Sequence, residues 1–175
     1  MEIVQIQVPL ESSFLDYPDS ESEAVVVYFC GCDFSCSNCQ NMVLHDIDSL
    51  DTSRLFVSVD MLYAMITESC RRHRTDKVVF LGGDPLAKRN RFFTKEFVSK
   101  YRTEFDIAIY TGYDRYEVLK MNIRYLKYLK CGEYDETKKL EANKDDFKMV
   151  LASSNQEWCD HKFDVLSKDG VLIFD

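Results

Sequence analysis

The stretch AVVVYFCGCDFSCSNCQN, residues 24–41, joins an apolar run to a loop that holds four of the seven cysteines. The run 24–29 is rich in β-branched and aromatic residues, which is typical of a strand buried on both faces of a parallel sheet. The cysteine loop, residues 30–41, follows the carboxyl end of that strand, where α/β folds place their ligands. The sequence therefore predicts an α/β fold with a ligand or metal at this loop.

Three loop cysteines, Cys32, Cys36 and Cys39, have the spacing Cys-x3-Cys-x2-Cys. Three thiolates can bind three irons of a cubane cluster and leave the fourth iron open, because such clusters normally take four cysteine ligands. The alternative is a structural zinc site that also uses Cys30, since structural zinc takes four protein ligands. The loop contains only one Cys-x2-Cys pair, and this favours iron and sulfur over zinc.

A second motif, VVFLGGDPL at residues 78–86, carries an apolar strand into a glycine pair. Glycines allow the backbone to approach a ligand closely or to take a positive φ, and Pro85 fixes the turn that follows. A zinc site gives no reason for such a turn some forty residues after the cysteine loop. Taken alone, however, a glycine pair at this position is typical of an ordinary turn that ends a strand.

The two motifs resemble those of radical S-adenosylmethionine (SAM) enzymes. In that superfamily the amino and carboxylate groups of SAM bind the open iron, and a Gly-Gly-Glu/Asp-Pro stretch binds the methionine amino group. The resemblance implies a 4Fe-4S cluster held by Cys32, Cys36 and Cys39, and no catalytic side chain beyond the cluster and SAM. The cofactor-binding residues that it implies are Asn38, Cys39, Gln40, Gly82, Gly83, Asp84 and Thr111.

Within the superfamily, the chain is most similar to the activating proteins of anaerobic (class III) ribonucleoside-triphosphate reductase. The further matching pieces are Gly31 and Asn41 in the cysteine loop, Tyr110-Thr111-Gly112-Tyr113 and Ser154-Asn155-Gln156. This resemblance implies that the adenosyl radical removes a hydrogen atom from a glycine in the large reductase subunit. It implies two partners, that subunit and an electron donor such as flavodoxin. Gln40 departs from the family pattern, which has an aromatic residue there, and the family's Gly-Pro-Gly-x-Arg stretch is missing.

Two other functions stay open at this point. One is a radical SAM enzyme that acts on a small molecule, such as a 7-carboxy-7-deazaguanine synthase. The other is a non-catalytic metal-binding module with four cysteine ligands, residues 30–39.

Composition narrows the class of protein. The 175 residues are 46% hydrophobic, which suits a single domain, residues 1–175, with a proper core. The formal net charge of -8 argues against a nucleic-acid partner. No stretch approaches the roughly 18 apolar residues of a membrane span. An odd number of cysteines without a recognisable leader predicts a reducing cytoplasm.

Strand and helix patterns alternate along the chain, which indicates βαβ units and a parallel sheet. The chain is short for a closed eight-stranded barrel, so we expect an incomplete, open barrel. The predicted strands are 3–10, 24–29, 77–81, 106–110, 125–131, 148–152 and 171–174. The predicted helices are 58–72, 92–101 and 115–123. Residues 11–23 and 133–146 are predicted as surface segments.

Four further expectations concern single side chains. The histidines His45, His73 and His161 are expected at the surface or with satisfied partners. The cysteines outside the loop are expected to be small buried hydrophobes; they are Cys70, Cys131 and Cys159. Residues 88–91 form a basic stretch that can steer an acidic donor. A side chain at Gly83 is expected to block SAM without affecting the cluster, because the cysteine loop follows a different strand.

Overall fold

The computed structural model describes residues 2–18, 23–48, 51–141 and 151–173. Its strands are β1 (Ile3–Gln7), β2 (Glu11–Ser13), β3 (Ala24–Phe29), β4 (Arg54–Ser58), β5 (Lys77–Gly82), β6 (Asp106–Tyr110), β7 (Tyr128–Cys131), β8 (Glu157–Asp160), β9 (Ser167–Lys168) and β10 (Val171–Leu172). Its helices are α1 (Val59–His73), α2 (Arg91–Tyr101) and α3 (Arg115–Met121), with 3-10 turns at Met42–His45 and Glu136–Lys138.

The centre of the main sheet consists of four parallel strands in the order β3, β5, β6 and β7. Antiparallel strands flank them: β1 and then β4 follow β3 on one side, and β8 pairs with β7 on the other. The short strand β2 pairs with β3 as well. In the described part of the chain, the outer strands β4 and β8 do not pair with each other, so the sheet is open. The predicted α/β class with a parallel sheet is confirmed.

The three helices cover one face of the sheet. Leu62 and Ile66 of α1, Phe97 of α2 and Val118 of α3 join the larger core cluster there, and none of these side chains is exposed. A second, smaller apolar cluster includes Val26, Leu81, Ala108, Tyr110 and Tyr128. The carboxyl ends of the parallel strands meet at one edge of the sheet, and the cysteine loop lies there.

Local signals explain where two helices begin. Ser58 caps α1, because its side chain accepts a hydrogen bond from the Met61 amide. In α3, Asp114 and Glu117 form a reciprocal capping box. These caps place the first turns of both helices beside the ends of the neighbouring strands.

Several sequence expectations were wrong. Residues 11–23 were expected as a loop, but 11–13 form β2. The strands β4, β8 and β9 were not predicted at all. In β4, an outer strand, Leu55 and Phe56 are both exposed, so the strand lacks the apolar alternation that marks a half-buried strand.

Two predicted strands near the C-terminus lie partly outside the described residues. Of the predicted strand 148–152, residues 148–150 lie outside the described residues, and 151–152 are not in a strand. The last predicted strand, 171–174, is shorter in the structure, where β10 is Val171–Leu172 and residue 174 is not described.

Among the described residues, every helix is too short or too polar to cross a membrane.

Candidate functional site

The cysteine loop turns sharply at Gly31, which has φ +90°. This turn separates Cys30 from the other three loop cysteines. Cys30 is completely buried, and its thiol is close to Arg54 and Arg89, whereas Cys32, Cys36 and Cys39 are half-buried. In a regular strand, residues two apart point to the same face. Gly31 breaks that rule here, so the structure separates Cys30 from the predicted ligands.

The cysteine loop rests directly on the glycine turn after β5. The Gly83 amide donates to the Phe29 carbonyl at 2.8 Å, and the Asp84 amide donates to the Gly31 carbonyl at 2.8 Å. The side chain of Asn41 donates to the Gly82 carbonyl at 3.2 Å. A Cβ atom at Gly83 would lie 2.3 Å from the Gly31 oxygen. The expectation that Gly83 is independent of the cysteine loop was therefore wrong.

Asp84 ties this turn to the loop after β6. Its side chain is 1% exposed and accepts hydrogen bonds from the Leu86 amide at 2.7 Å, the Thr111 hydroxyl at 2.9 Å and the Gly112 amide at 3.0 Å. Burial raises the pKa of Asp84 to about 6, so the carboxylate is ionised at neutral pH. Asp84 and Thr111 thus bind each other, and this contact positions both loops. Their direct contact with a cofactor stays a prediction.

The loop after β6 supports the cysteine loop from the other side. The rings of Phe34 and Tyr113 meet edge to face with centroids 4.9 Å apart. A Cβ atom at Gly112 would lie 2.6 Å from the Phe34 ring, so the close approach depends on this glycine. The carboxylate of Asp33 accepts from the Tyr113 hydroxyl and from the Lys88 amide. The predicted cofactor residues of the loop itself, Asn38, Cys39 and Gln40, are exposed or half-buried.

Among the described residues, the loop thiols do not form a compact set of zinc ligands. A zinc ion binds each thiolate at about 2.3 Å, so the sulfurs around one ion lie within about 4.6 Å of one another. In the described residues, no three of the four loop cysteines form a set with ligand atoms within 4.8 Å. The three half-buried thiols Cys32, Cys36 and Cys39 match the donor set of a 4Fe-4S cluster in which each thiolate binds a different iron.

The family comparison agrees with that donor set. The sequence profile of the 4Fe-4S single cluster domain family matches residues 21–158. The chain belongs to this family. Its cofactor is a 4Fe-4S cluster, and the cysteine loop holds the residues that fit it. Together with the three-cysteine spacing, this membership supports the radical SAM superfamily as the wider group.

No curated protein sequence matches the chain. Among solved structures, the crystal structure of QueE from Escherichia coli aligns with a TM-score of 0.47 and 16% sequence identity. The alignment covers 63% of this chain and 53% of the QueE chain, so the match spans about half of that protein.

Three residues near the cluster cysteines were missed by sequence reasoning. His45 Nε2 lies 3.6 Å from the Cys39 sulfur. The Cys36 thiol donates to the Glu133 carboxylate at 3.7 Å. Lys130 lies close enough to Cys36 and Asp84 to interact electrostatically with both. His45 follows Cys39 by only six residues, and the 3-10 turn Met42–His45 brings its ring to the Cys39 sulfur.

We expect His45→Ala to assemble the 4Fe-4S cluster but to lower its reduction potential. An iron-bound thiolate can only accept a hydrogen bond, so His45 would donate Nε2–H to the Cys39 sulfur, and such bonds raise cluster potentials. A redox titration followed by electron paramagnetic resonance (EPR) measures the shift. The matched control is His161→Ala, because His161 is exposed and pairs with Asp160. Equal potentials in the two variants would contradict the role of His45.

The predicted basic stretch at residues 88–91 is smaller than expected. Asn90 is completely buried, and its amide donates to the carbonyls of Cys30 at 3.0 Å and Asp84 at 2.8 Å. Arg91 donates to the Leu86 carbonyl at 3.1 Å. Within residues 88–91, only Lys88 and Arg89 are exposed cations, and they lie beside the cysteine loop.

Proposed function

We propose that the protein is a radical SAM enzyme that activates anaerobic ribonucleoside-triphosphate reductase by generating a glycyl radical on the large subunit. The observation that carries the proposal is the separation of Cys30 from three half-buried thiols that rest on the Gly82-Gly83 turn. This leaves three cluster ligands and one open iron beside a backbone that can approach a ligand closely. When bound, the cluster supplies the electron that cleaves SAM to the 5'-deoxyadenosyl radical.

Lys130 supports the binding of an amino-acid ligand at this edge of the sheet. Lys130 lies at the end of β7, with its Nζ 5.4 Å from the centre of the Tyr110 ring. Among the described residues, its ammonium has no hydrogen bond or ion pair. Burial lowers the pKa of Lys130 to about 8. The Asp84 carboxylate offsets only part of the cost of desolvating this ammonium. A cation with no direct partner among the described residues therefore suits the carboxylate of SAM.

We expect Lys130→Met to assemble the cluster and to bind SAM about 10- to 100-fold more weakly. The reason is the loss of one charge-assisted hydrogen bond, which contributes about 1.5–3 kcal/mol. Equilibrium binding of SAM to the reconstituted protein measures the effect. Lys127→Met is the control, because Lys127 pairs with Asp106 at 3.8 Å and is exposed. The assignment of Lys130 is wrong if both variants bind SAM as the wild type does.

The surface beside the cysteine loop supports a protein substrate. Ser35, Ser37 and Gln40 are exposed in the loop, and the next turn exposes Met42 (57%) and Val43 (72%). Exposed apolar side chains next to a site suit contact with another protein. One surface cavity of about 580 Å³ is lined by residues 23, 70, 71 and 73–77, and another of about 290 Å³ by residues 102, 103, 105–107, 125–127 and 161. Neither of these cavities includes the cysteine loop.

A small-molecule substrate, as for a 7-carboxy-7-deazaguanine synthase, is the second candidate. Lys130 favours it too, because the same ammonium could bind a carboxylate on a substrate instead of that of SAM. The two candidates share the cluster and SAM and differ only in what the adenosyl radical attacks.

One experiment distinguishes these candidates. The protein is reconstituted anaerobically with iron and sulfide, reduced, and given SAM together with the large reductase subunit. We expect 5'-deoxyadenosine and an EPR signal of a glycyl radical on that subunit. Cleavage of SAM without a glycyl radical would reject the activase and leave a small-molecule enzyme. No cleavage, in spite of a complete cluster, would reject the radical SAM proposal.

The electron donor is proposed to be an acidic protein such as flavodoxin that approaches Lys88 and Arg89. We expect Lys88→Ser with Arg89→Gln to slow cluster reduction by flavodoxin several-fold at low salt and to weaken its salt dependence, because surface cations act mainly on association rates. Glutamine keeps part of the side-chain stem that packs on Gly31. Stopped-flow reduction at several ionic strengths measures this, with exposed Lys95→Ser as the control. Unchanged salt dependence would place the donor elsewhere.

A further inference from the structure

A second group of metal-ligating side chains lies on the helix-covered face of the sheet. It consists of Cys131 at the end of β7 and of Glu157 and Cys159 on β8, whose ligand atoms all lie within 4.8 Å of one another. Cys131 faces Glu157 directly across the antiparallel pair, and Cys159 faces Leu129. Because side chains alternate along a strand, Cys131 points away from the face that holds its neighbour Lys130. The group is therefore separated from the cysteine loop by the sheet.

The geometry disfavours a disulfide between the two thiols. Cys131 and Cys159 are diagonal neighbours, and diagonal pairs on antiparallel strands are about 7–8 Å apart, beyond the usual reach of a disulfide. A zinc ion needs only sulfurs within about 4.6 Å of each other. The ligand atoms of this group already lie within 4.8 Å of one another. A zinc ion can therefore bind both thiolates at a separation at which a disulfide bond between Cys131 and Cys159 would be strained.

The charges of the group also balance around a divalent ion. Arg115, the first residue of α3, has its Nε 3.7 Å from the Glu157 carboxylate. Two thiolates and one carboxylate carry three negative charges, which a divalent ion and the Arg115 guanidinium neutralise. Binding would displace two thiol protons and change no oxidation state.

We propose that Cys131, Glu157 and Cys159 form a second metal site that binds zinc. Thiolate and carboxylate ligands together suit zinc, and three protein ligands leave its fourth position for water. The two cysteines are 1% and 0% exposed, whereas the side chain of Glu157 is 40% exposed and gives the ion a path inward. The site is independent of the proposed activity, because it lies across the sheet from the cysteine loop.

The test uses the full-length protein with its 4Fe-4S cluster assembled, so that the cluster cysteines are already occupied. After chelator treatment, the protein is titrated with zinc, and zinc and iron per chain are measured by mass spectrometry. X-ray absorption at the zinc edge counts the ligands. We expect one zinc per chain, about two sulfurs at 2.3 Å and the remainder oxygen. Cys131→Ser and Cys159→Ser should lose this zinc and keep the iron.

Two further variants keep the test decisive. Cys70→Ser is the matched control, because Cys70 is a buried cysteine of α1 outside both groups, and it should keep the zinc. Glu157→Gln, at a partly exposed position that suits folding, should weaken zinc binding at least about tenfold. Zinc that binds equally to wild type, Cys131→Ser and Glu157→Gln would overturn the site. So would zinc that binds only as iron is lost, or no zinc binding at all.

Discussion

Serine at Cys32, Cys36 or Cys39 is expected to remove the 4Fe-4S cluster and all cleavage of SAM, whereas alanine at Cys30 leaves both in place. Each of the three half-buried thiols would hold one iron, and the loss of one leaves two irons without protein ligands. Cys30 lies inside the core beyond the turn at Gly31, beside Arg54 and Arg89. Its truncation should cost only on the order of 1 kcal/mol of packing.

Iron and sulfide per chain after anaerobic reconstitution measure this difference. We expect about four irons per chain in wild type and Cys30→Ala and a sharp fall in each serine variant. Thermal unfolding of the five proteins before reconstitution controls for general destabilisation. If Cys30→Ala lost iron as completely as the serine variants, the site would use four cysteines, and the open iron would not exist.

Gly83→Val is expected to prevent assembly of the cluster, and not only the binding of SAM. The added Cβ would lie 2.3 Å from the oxygen and 2.8 Å from the carbonyl carbon of Gly31. Both atoms belong to backbone, so the cysteine loop must move away and lose its hydrogen bond to the Asp84 amide. We expect the free energy of unfolding to fall by about 3 kcal/mol or more, which is at the upper end of the cost of overpacking a core.

Gly112→Ala is the control for this prediction, because we expect it to have a smaller effect than Gly83→Val. Its Cβ would also be too close to a neighbour, at 2.6 Å, but that neighbour is the ring of Phe34, a side chain that can rotate. This variant should assemble the cluster with a smaller loss of stability. Iron content and thermal unfolding measure both variants. A Gly83→Val protein with a complete cluster and no affinity for SAM would contradict the contact between the two loops.

The buried central strands were predictable because their signal is local. The run 24–29 forms β3 and the run 106–110 forms β6 with the predicted bounds, since continuous apolar residues have few alternatives to a buried strand. The edge strands β2 and β4 were missed for the opposite reason. Their pairing depends on β3 and β1, which are distant in sequence, and the residues themselves show no alternation.

The roles of the site residues needed the folded chain. Asp84 follows a glycine turn in sequence, but its three hydrogen-bond donors include Thr111 and Gly112, which come from another loop. Asn90 belongs to a polar stretch in sequence, yet it is buried and joins Cys30 to Asp84. A single sequence cannot reveal such contacts, because burial and partner are properties of the packed structure.

The sequence by itself determined the metal chemistry and the class of fold. Ligand type and spacing lie within one short segment around Cys32, Cys36 and Cys39, and strand periodicity is equally local. Only the tertiary structure decided which cysteines stay out of the site. The turn at Gly31 places Cys30 in the core, and the pairing of β7 with β8 brings Cys131 and Cys159 together. Both outcomes depend on contacts between distant segments, which form only when the chain packs its core.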